Sequence, residues 1–471
     1  MRNRGLALLV AACFFMENLD GTIVTTALPT IASDLGVPTT DSGLIVTAYL
    51  IALAAFIPLG GWLLTRVPGR WLLTGSIAIF TLASLICAVS QTLPVLVLAR
   101  VLQGAGGALM VPIGRQLVLR DAELKDIQKL IAYIVWPALI APVIAPVVGG
   151  FIVEQWSWHW IFIINIPLGL IAMPIALRIA PNDTDGKRKS LDVAGFLLTA
   201  SGLGALVWTA HLFSDAPVWW VGLAWATAAV ALCAWAIIHL RRSDHPLVEL
   251  DVFRDRIFAC SQAGMFAHSM VVASLPFLLP LLLQTAFGWN PVKAGAMVMF
   301  IFAGNIAIKP FTSALLNLAG YKANLVVSSL GLCVTGVALM ALPQESPYWL
   351  IAAVAFASGV FRSAGFTAVQ TIAFATIPQD QRAPANVVAS LNQQVAMALG
   401  VALATVGLGL GAALSGSAST QTAFIVAGAL SCAPTLAAVV AVLMLPANAG
   451  DELRTKPKPK RGTPGEPEKA R

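Results

Sequence analysis

Glu17 and Asp20 stand three residues apart in FFMENLDGTIVTTALP, Phe14 to Pro29, a stretch otherwise apolar enough to cross a membrane. On a helix that spacing puts both carboxylates on one face. A charge at the centre of a bilayer costs several kcal/mol or more unless it meets a partner or water, so such residues mark pathways for protons, ions or substrates. Arg100 is the natural counter-charge. It lies in ARVLQGAGGALMVP, where Gln103, Gly104 and Gly107 follow three, four and seven positions later. A guanidinium can hold a carboxylate through two parallel hydrogen bonds, and the small residues let another helix approach closely. The chemistry implied is proton transfer. Burial favours a protonated carboxyl, a nearby guanidinium favours the ionised form, and a change of access or separation swings the group between capture and release. Asp20 is the leading proton carrier; Glu17, one turn earlier, is a second titrating group or a substrate contact. Spacing alone does not divide these roles, so the two are treated as coupled. A static ion pair that only fixes helix register is the competing reading.

Two further cations, Lys309 and Arg362, fall inside apolar runs. With both carboxylates ionised, the intramembrane charge of these five residues is +1, and with both protonated it is +3. That census favours an anion, or a metal chelate of an organic acid, over a lipophilic cation. The bland alternative is that Lys309 and Arg362 extend their charged ends to the membrane interface. Gln262 and His268 are candidate substrate contacts, against the reading that each is a packed, hydrogen-bonded helix residue. No cofactor is expected. The Gly104, Gly106 and Gly107 cluster has no preceding strand and is no nucleotide site, and GxxxxGK[ST] occurs nowhere. The six cysteines sit one per apolar run without CxxC spacing, and read as small buried residues, not metal ligands or disulfides.

The elements that must position these groups are set by composition. The 471 residues are 58% hydrophobic and 11% charged, where ordinary soluble domains carry roughly 25% charged residues, so lipid is the expected solvent. The formal charge of +7 has no soluble basic face with groove-reading elements to go with it, which argues against nucleic acid. A hydrocarbon core needs roughly 20 apolar residues per helix, and on that scale the chain offers fourteen spans. They run approximately over 6–28, 43–65, 71–90, 94–116, 130–153, 158–180, 191–212, 217–240, 257–284, 291–316, 323–342, 347–370, 386–414 and 422–445. MRNR followed by LALLVAACFF has the outline of a signal peptide, but no small-residue cleavage site follows and the helical pattern continues to Pro29. Lys and Arg collect at the N-terminus, in alternate loops and in the C-terminal tail, which by the positive-inside rule places both termini in the cytoplasm.

A repeat is visible. Gly36 and Gly43 in LGVPTTDSGLIVTAYLI return as Gly288 and Gly295 in FGWNPVKAGAMVMFIF, each pair 252 positions apart, and Gly69 of GRWLL returns one residue out of step as Gly320 of GYKANL. Span 1 therefore maps onto span 9. Two six-helix halves with the same orientation follow, with spans 7 and 8 inserted between them. The expected divisions are 1–180 and 257–447 for the halves, 181–256 for the inserted pair, and 448–471 for a disordered, Pro-, Lys- and Glu-rich cytoplasmic tail.

At the level of motifs the chain resembles the fourteen-span drug:proton antiporters of the major facilitator superfamily, and among them the multidrug-resistance exporters of the Mdt type. LDGTIVTTALP, Leu19 to Pro29, is similar to their first-span signature. LARVLQGAGGA, Leu98 to Ala108, resembles the fourth-span motif, whose arginine is implicated in proton transfer. APVVGG, Ala145 to Gly150, looks like the fifth-span antiporter motif, with Pro142, Pro146, Gly149 and Gly150 bending and thinning the helix, and SWHWIFIINIPLG looks like the entry to span 6. The resemblance implies an all-α integral membrane protein of the major facilitator fold, with spans 1, 4, 9 and 12 lining a cavity. The loop after span 2 departs from the family: GWLLTRVPGRW has Thr65 and Pro68 where the motif carries Asp and Gly, leaving Arg66 and Arg70 as candidate gating residues without the acidic latch.

The expectation is a proton-coupled exporter of small amphiphilic molecules, not an enzyme, working as a monomer in the inner membrane. A proton-linked exporter of an organic acid or its metal complex is the alternative. A non-transporting receptor is the third class, disfavoured because no sizeable soluble domain is visible in the sequence.

Overall fold

The computed structural model describes residues 2–120, 124–182, 184, 190–214, 219–244, 246–373, 377–378, 381–417 and 420–443. The expected tail 448–471, the basic run 187–189 and the end of the last span lie outside the described residues. Among the described residues there is no strand. Apolar runs of this length can satisfy their backbone groups in lipid only as helices.

Helices follow the expected order: α1 (Arg2–Asp34), α2 (Gly43–Phe56, resumed over Leu59–Leu64), α3 (Gly69–Val89), α4 (Leu93–Arg120) and α5 (Leu124–Gln155). Next come α6 (Trp160–Ile163, resumed over Asn165–Ile179), α7 (Val193–Ser214) and α8 (Trp219–Arg242). The second set is α9 (Arg256–Leu281, ending in a wide turn over Leu282–Ala286), α10 (Pro291–Ala307, resumed over Thr312–Ala319), α11 (Tyr321–Ala341), α12 (Tyr348–Ala373), α13 (Arg382–Ser415) and α14 (Gln421–Leu443). Eleven helices among the described residues are long and apolar enough to cross a membrane, and Gly43–Phe56 and Val193–Thr209 are shorter apolar ones.

Boundaries differ from expectation where proline acts. α1 runs through Pro29 to Asp34, past the expected end at residue 28. α2 is interrupted at Ile57 and Pro58, and α10 at Ile308, where a tight turn over Lys309–Phe311 holds Pro310. Proline has no N–H to give the preceding turn, so an apolar run read as one span becomes two helical pieces.

Packing repeats along the chain. In the first set α1 packs on α4, α5 and α6, α4 on α2 and α3, and α3 on α6; adding eight to every label gives the contacts of the second set. The sets meet through α5 against α10 and α2 against α13, which are again a matched pair. Gly36 and Gly288, the repeated glycines, both adopt positive φ, 65° and 69°. Behind α1 the Gly36 N–H reaches the Ser33 carbonyl and the Val37 N–H reaches that of Ala32, a helix stop that favours glycine. Gly43 and Gly295 occupy the matched seams: a Cβ on Gly43 would meet Thr405 of α13, and one on Gly295 would overlap the Pro146 carbonyl of α5.

In α9, 94% of the apolar window is buried, against 17% in α8, so α9 lies inside the assembly and α8 at its lipid-facing margin. The α7–α8 hairpin packs on α13 and α2. Its ends are clasped by Asp192, which meets His239 Nε2 at 2.7 Å and accepts the Gly195 N–H at 2.8 Å.

Candidate functional site

Midway along α1 and near the start of α4, the sequence supplies one acid and one base that face each other. Arg100 Nη1 donates to Asp20 Oδ2 at 2.5 Å, and both side chains are fully buried. The pair belongs to a larger closed cluster. Gln103 Nε2 and Asn165 Nδ2 each donate to Asp20 Oδ1 at 2.8 Å, so both carboxylate oxygens have partners. Gln103 also reaches Ser84 Oγ at 2.8 Å, and Arg100 donates through Nε to the Ile45 carbonyl at 3.2 Å and through Nη1 to Gln103 Oε1 at 2.6 Å. The guanidinium carbon stands 4.2 Å from the Tyr49 ring centroid and 5.8 Å from that of Phe162. Five helices, α1, α2, α3, α4 and α6, thus converge on one ion pair. A buried pair repays its desolvation only when the remaining hydrogen-bonding capacity is met, and Asp20 meets that condition more fully than Arg100, whose Nη2 is buried without a partner.

Glycine makes the convergence possible. A Cβ on Gly104 would lie 2.6 Å from the Tyr49 carbonyl of α2, and one on Gly106 would lie 2.7 Å from the Phe80 nitrogen of α3. Gly107 has ordinary clearance, 3.4 Å to Leu53 and to the Tyr49 hydroxyl, so Gly106 rather than Gly107 sets the second close approach.

Glu17 does not join the pair. It is half-buried, faces a central cavity, and its Oε2 has no hydrogen-bond partner. The two carboxylates of α1 therefore have different settings, Asp20 closed against Arg100 and Glu17 open to the cavity. The cavity holds about 1710 Å³ between the two helix sets. It reaches toward the end that carries the N-terminus of α1 and the connector between α8 and α9, with Asp244 and Asp251 in its lining. Its opposite end is closed by α5 against α10, where Gly150 meets the Pro291 carbonyl and Gly295 meets that of Pro146. Asn290 Nδ2 donates to Glu154 at 3.2 Å there, and Gln284 Nε2 donates to the Thr26 carbonyl at 2.9 Å.

Of the other residues singled out for substrate, Lys309 and Arg362 line this cavity, while Gln103, Gln262 and His268 are not part of its lining. Gln103 is committed to the ion-pair cluster. Gln262 is buried and accepts from Asn392 Nδ2 at 3.0 Å, and His268 is buried with Nε2 3.1 Å from the Arg362 carbonyl. Arg362 donates through Nη1 to the Val272 carbonyl at 3.3 Å and lies 5.0 Å from the Phe302 ring, and Lys309 Nζ is 6.0 Å from that of Phe366. Among the described residues no carboxylate forms an ion pair with either cation.

Pro142 lines the cavity, and Pro146, Gly149 and Gly150 face α1 and α10 in α5. Arg66 stacks near Trp62 at 4.9 Å, and Arg70 ties the start of α3 to the Ala180 carbonyl at 3.1 Å. That contact stays within the first helix set. Asn165, Ser84 and Tyr49 are site residues that reasoning from charge passed over; a lone amide in the apolar run IINIPLG was their one visible signal. Cys333 and Cys432 meet across α11 and α14, each Sγ within 3.9 Å of the other's carbonyl, and both are free.

Known proteins share this plan. The family model described as Major Facilitator Superfamily matches residues 10–244 and 263–470. A protein of Klebsiella pneumoniae subsp. pneumoniae named "Putative multidrug resistance protein MdtD" is 36% identical over 403 residues, covering 84% of each chain. Its namesake in Escherichia fergusonii is 35% identical over 399 residues, again covering 84% of each. Among solved structures, a D-xylose-proton symporter superposes with a TM-score of 0.68 at 14% identity, over 95% of this chain and 98% of that one. An inward-facing, unoccupied bacterial homologue of the human lysosomal transporter Spinster gives 0.58 at 15% identity, over 94% and 95%. These two share the fold alone. With the family model spanning both helix sets and relatives above one-third identity over most of their length, the chain belongs to the Major Facilitator Superfamily and is a multi-pass membrane transporter.

Proposed function

We propose that the protein is a proton-coupled antiporter that exports small amphiphilic compounds by alternating access. The observation that carries this reading is the division of acids on α1: Asp20 closed against Arg100, and Glu17 open to the cavity without a partner for Oε2. A proton arriving at Asp20 neutralises one member of a buried pair, which changes how five helices are held. The charge released on Arg100 must then be compensated by movement or by a new partner. Glu17 offers a second protonation site in direct reach of cargo. The names of the relatives support a multidrug substrate range.

The remaining parts of the reading follow from this. Residues 1–180 and 257–447 act as the two rocking halves, 181–256 as an inserted pair and 448–471 as a tail. Both termini lie in the cytoplasm, the cavity faces inward, and the monomer is the working unit in the inner membrane. Pro142, Pro146, Gly149 and Gly150 let α5 bend and slide on α1 and α10 as the halves rock. A second reading, export of an organic acid or its metal chelate, is favoured by Lys309 and Arg362 facing the cavity without a carboxylate partner among the described residues.

The test is an imposed proton gradient in inverted vesicles, with collapse recorded on adding candidate compounds to wild type, Asp20→Asn and Arg362→Ala. Collapse in wild type and none in Asp20→Asn supports proton-coupled export. No collapse across a broad panel sinks it, and cationic dyes acting equally on wild type and Arg362→Ala sink the anion reading.

A further inference from the structure

The cavity has opposite poles on opposite walls. Glu17 projects from α1, while Arg362 and Lys309 project from α12 and α10 of the other helix set, and all three line one continuous space. Each pole lacks an ionic partner among the described residues: Oε2 of Glu17 has no hydrogen bond, and neither cation has a carboxylate. The poles have not neutralised one another.

The surroundings orient each pole. The guanidinium of Arg362 spends one Nη1 hydrogen bond on the Val272 carbonyl and rests over Phe302, which leaves Nε and Nη2 to offer. Asn305, in the segment of α10 that precedes Lys309, adds an amide to the lining, and Gln394 of α13 brings a buried Oε1 with no partner. Apolar and aromatic side chains, Phe14, Leu50, Phe302 and Phe366 among them, share the same lining. Two cations without a carboxylate and a carboxyl oxygen without a partner are costly to leave unmatched in a partly desolvated space, and one molecule with complementary ends relieves both at once.

Resting on the reading of this cavity as the transport site, we propose that the favoured cargo is a zwitterionic amphiphile, with its anionic head between Arg362 and Lys309 and its ammonium at Glu17. Neither an organic anion nor a lipophilic cation alone satisfies both walls. Two poles on opposite halves also give the cargo a structural effect: a molecule that bridges them ties the halves together, whereas one held at a single pole does not.

The experiment uses full-length protein in nanodiscs and calorimetric titration at one fixed pH. The probes are 6-aminohexanoic, 8-aminooctanoic and 11-aminoundecanoic acids, each with its N-acetyl form, which is an anion only, and its methyl ester, which is a cation only. At the best-fitting length the zwitterion should bind about tenfold or more tighter than either single-charge form, the increment expected for one charge-assisted hydrogen bond. Glu17→Gln should bring the zwitterion level with its N-acetyl form, and Arg362→Gln should bring it level with its methyl ester. The same variants are checked for retained folding by their melting temperature. A methyl ester or N-acetyl form that matches the zwitterion in wild type overturns the proposal, and so does absence of binding across the series. Vesicle proton flux separates this result from the broader reading. Gradient collapse without zwitterion preference removes the cargo class and leaves proton-driven export standing, and zwitterion preference without collapse does the reverse.

Discussion

The two helix sets share one contact scheme and differ in what they do with charge. In the first, Arg100 is fully buried, its acid is 2.5 Å away, and Gln103, Asn165 and Ser84 close the shell around them. In the second, Arg362 is half-buried, leans on a backbone carbonyl and a ring, and faces the cavity. The same architecture thus holds one arginine inside a closed ion-pair cluster and turns another toward the cavity. Equal topology leaves side-chain chemistry free to diverge.

The contrast is broken or sharpened most strongly by deleting each guanidinium in turn. Arg100→Ala leaves Asp20 buried without its counter-charge, and should cost about 3–5 kcal/mol. Arg362→Ala removes one weak hydrogen bond and should cost about 1 kcal/mol or less. Denaturant unfolding in micelles measures both, and equal losses would erase the distinction.

Next come the matched seams. Gly295→Ala and Gly150→Ala push a methyl group into backbone carbonyls of Pro146 and Pro291, and overpacking of this kind costs about 1–3 kcal/mol. Gly43→Ala meets only the Thr405 methyl and the Phe277 ring edge, which can shift, so its effect should be smaller. Accessibility of a cysteine placed at Thr26, read with a membrane-impermeant thiol reagent, should rise in the first two variants and stay near wild type in the third.

The repeated stops should respond alike. Gly36→Ala and Gly288→Ala each force a side chain into positive φ at a cost of roughly 1–2 kcal/mol, and unequal melting shifts would show that the two halves do not share their turns. The smallest effect belongs to the inserted hairpin, which has no counterpart in either set. Burial raises the Asp192 carboxyl, but the bonds from His239 and from the Gly195 and Leu247 N–H groups outweigh it and hold its pKa below the ordinary carboxylate value. A pKa lower in the folded state gives stability that is full above the unfolded value and fades as pH falls through the folded one. Melting temperature followed from neutral pH to about pH 3 should therefore lose a small increment that Asp192→Asn lacks throughout.

Much of the fold was legible because lipid leaves so few options. Span number, order and the inserted pair came from apolar length, and Gly36, Gly43, Gly288 and Gly295 announced the repeat before any contact was seen. Breaks at Pro58 and Pro310 were less readable, since proline is tolerated in some membrane helices, as Pro29 and Pro112 show, and not in others. Of the site, Asp20 and Arg100 stood out because charge in an apolar run is costly. Asn165, Ser84 and Tyr49 did not, because an uncharged polar residue costs little in the sequence and shows its worth only when its partners arrive from distant helices. Spacing left Glu17 open between a second titrating group and a substrate contact, because periodicity gives the face of a helix but not the depth of the neighbour opposite it.

The seam that shuts the far end of the cavity has a mechanical consequence. Its glycines bring backbone directly against backbone, and dispersion between such surfaces falls by a quarter to a half over a gap of roughly 0.5–1 Å. A joint of that kind has almost no elastic range. It should part in one snap once the first ångström is supplied, and the transporter would then pass through few half-open states in which ions could leak.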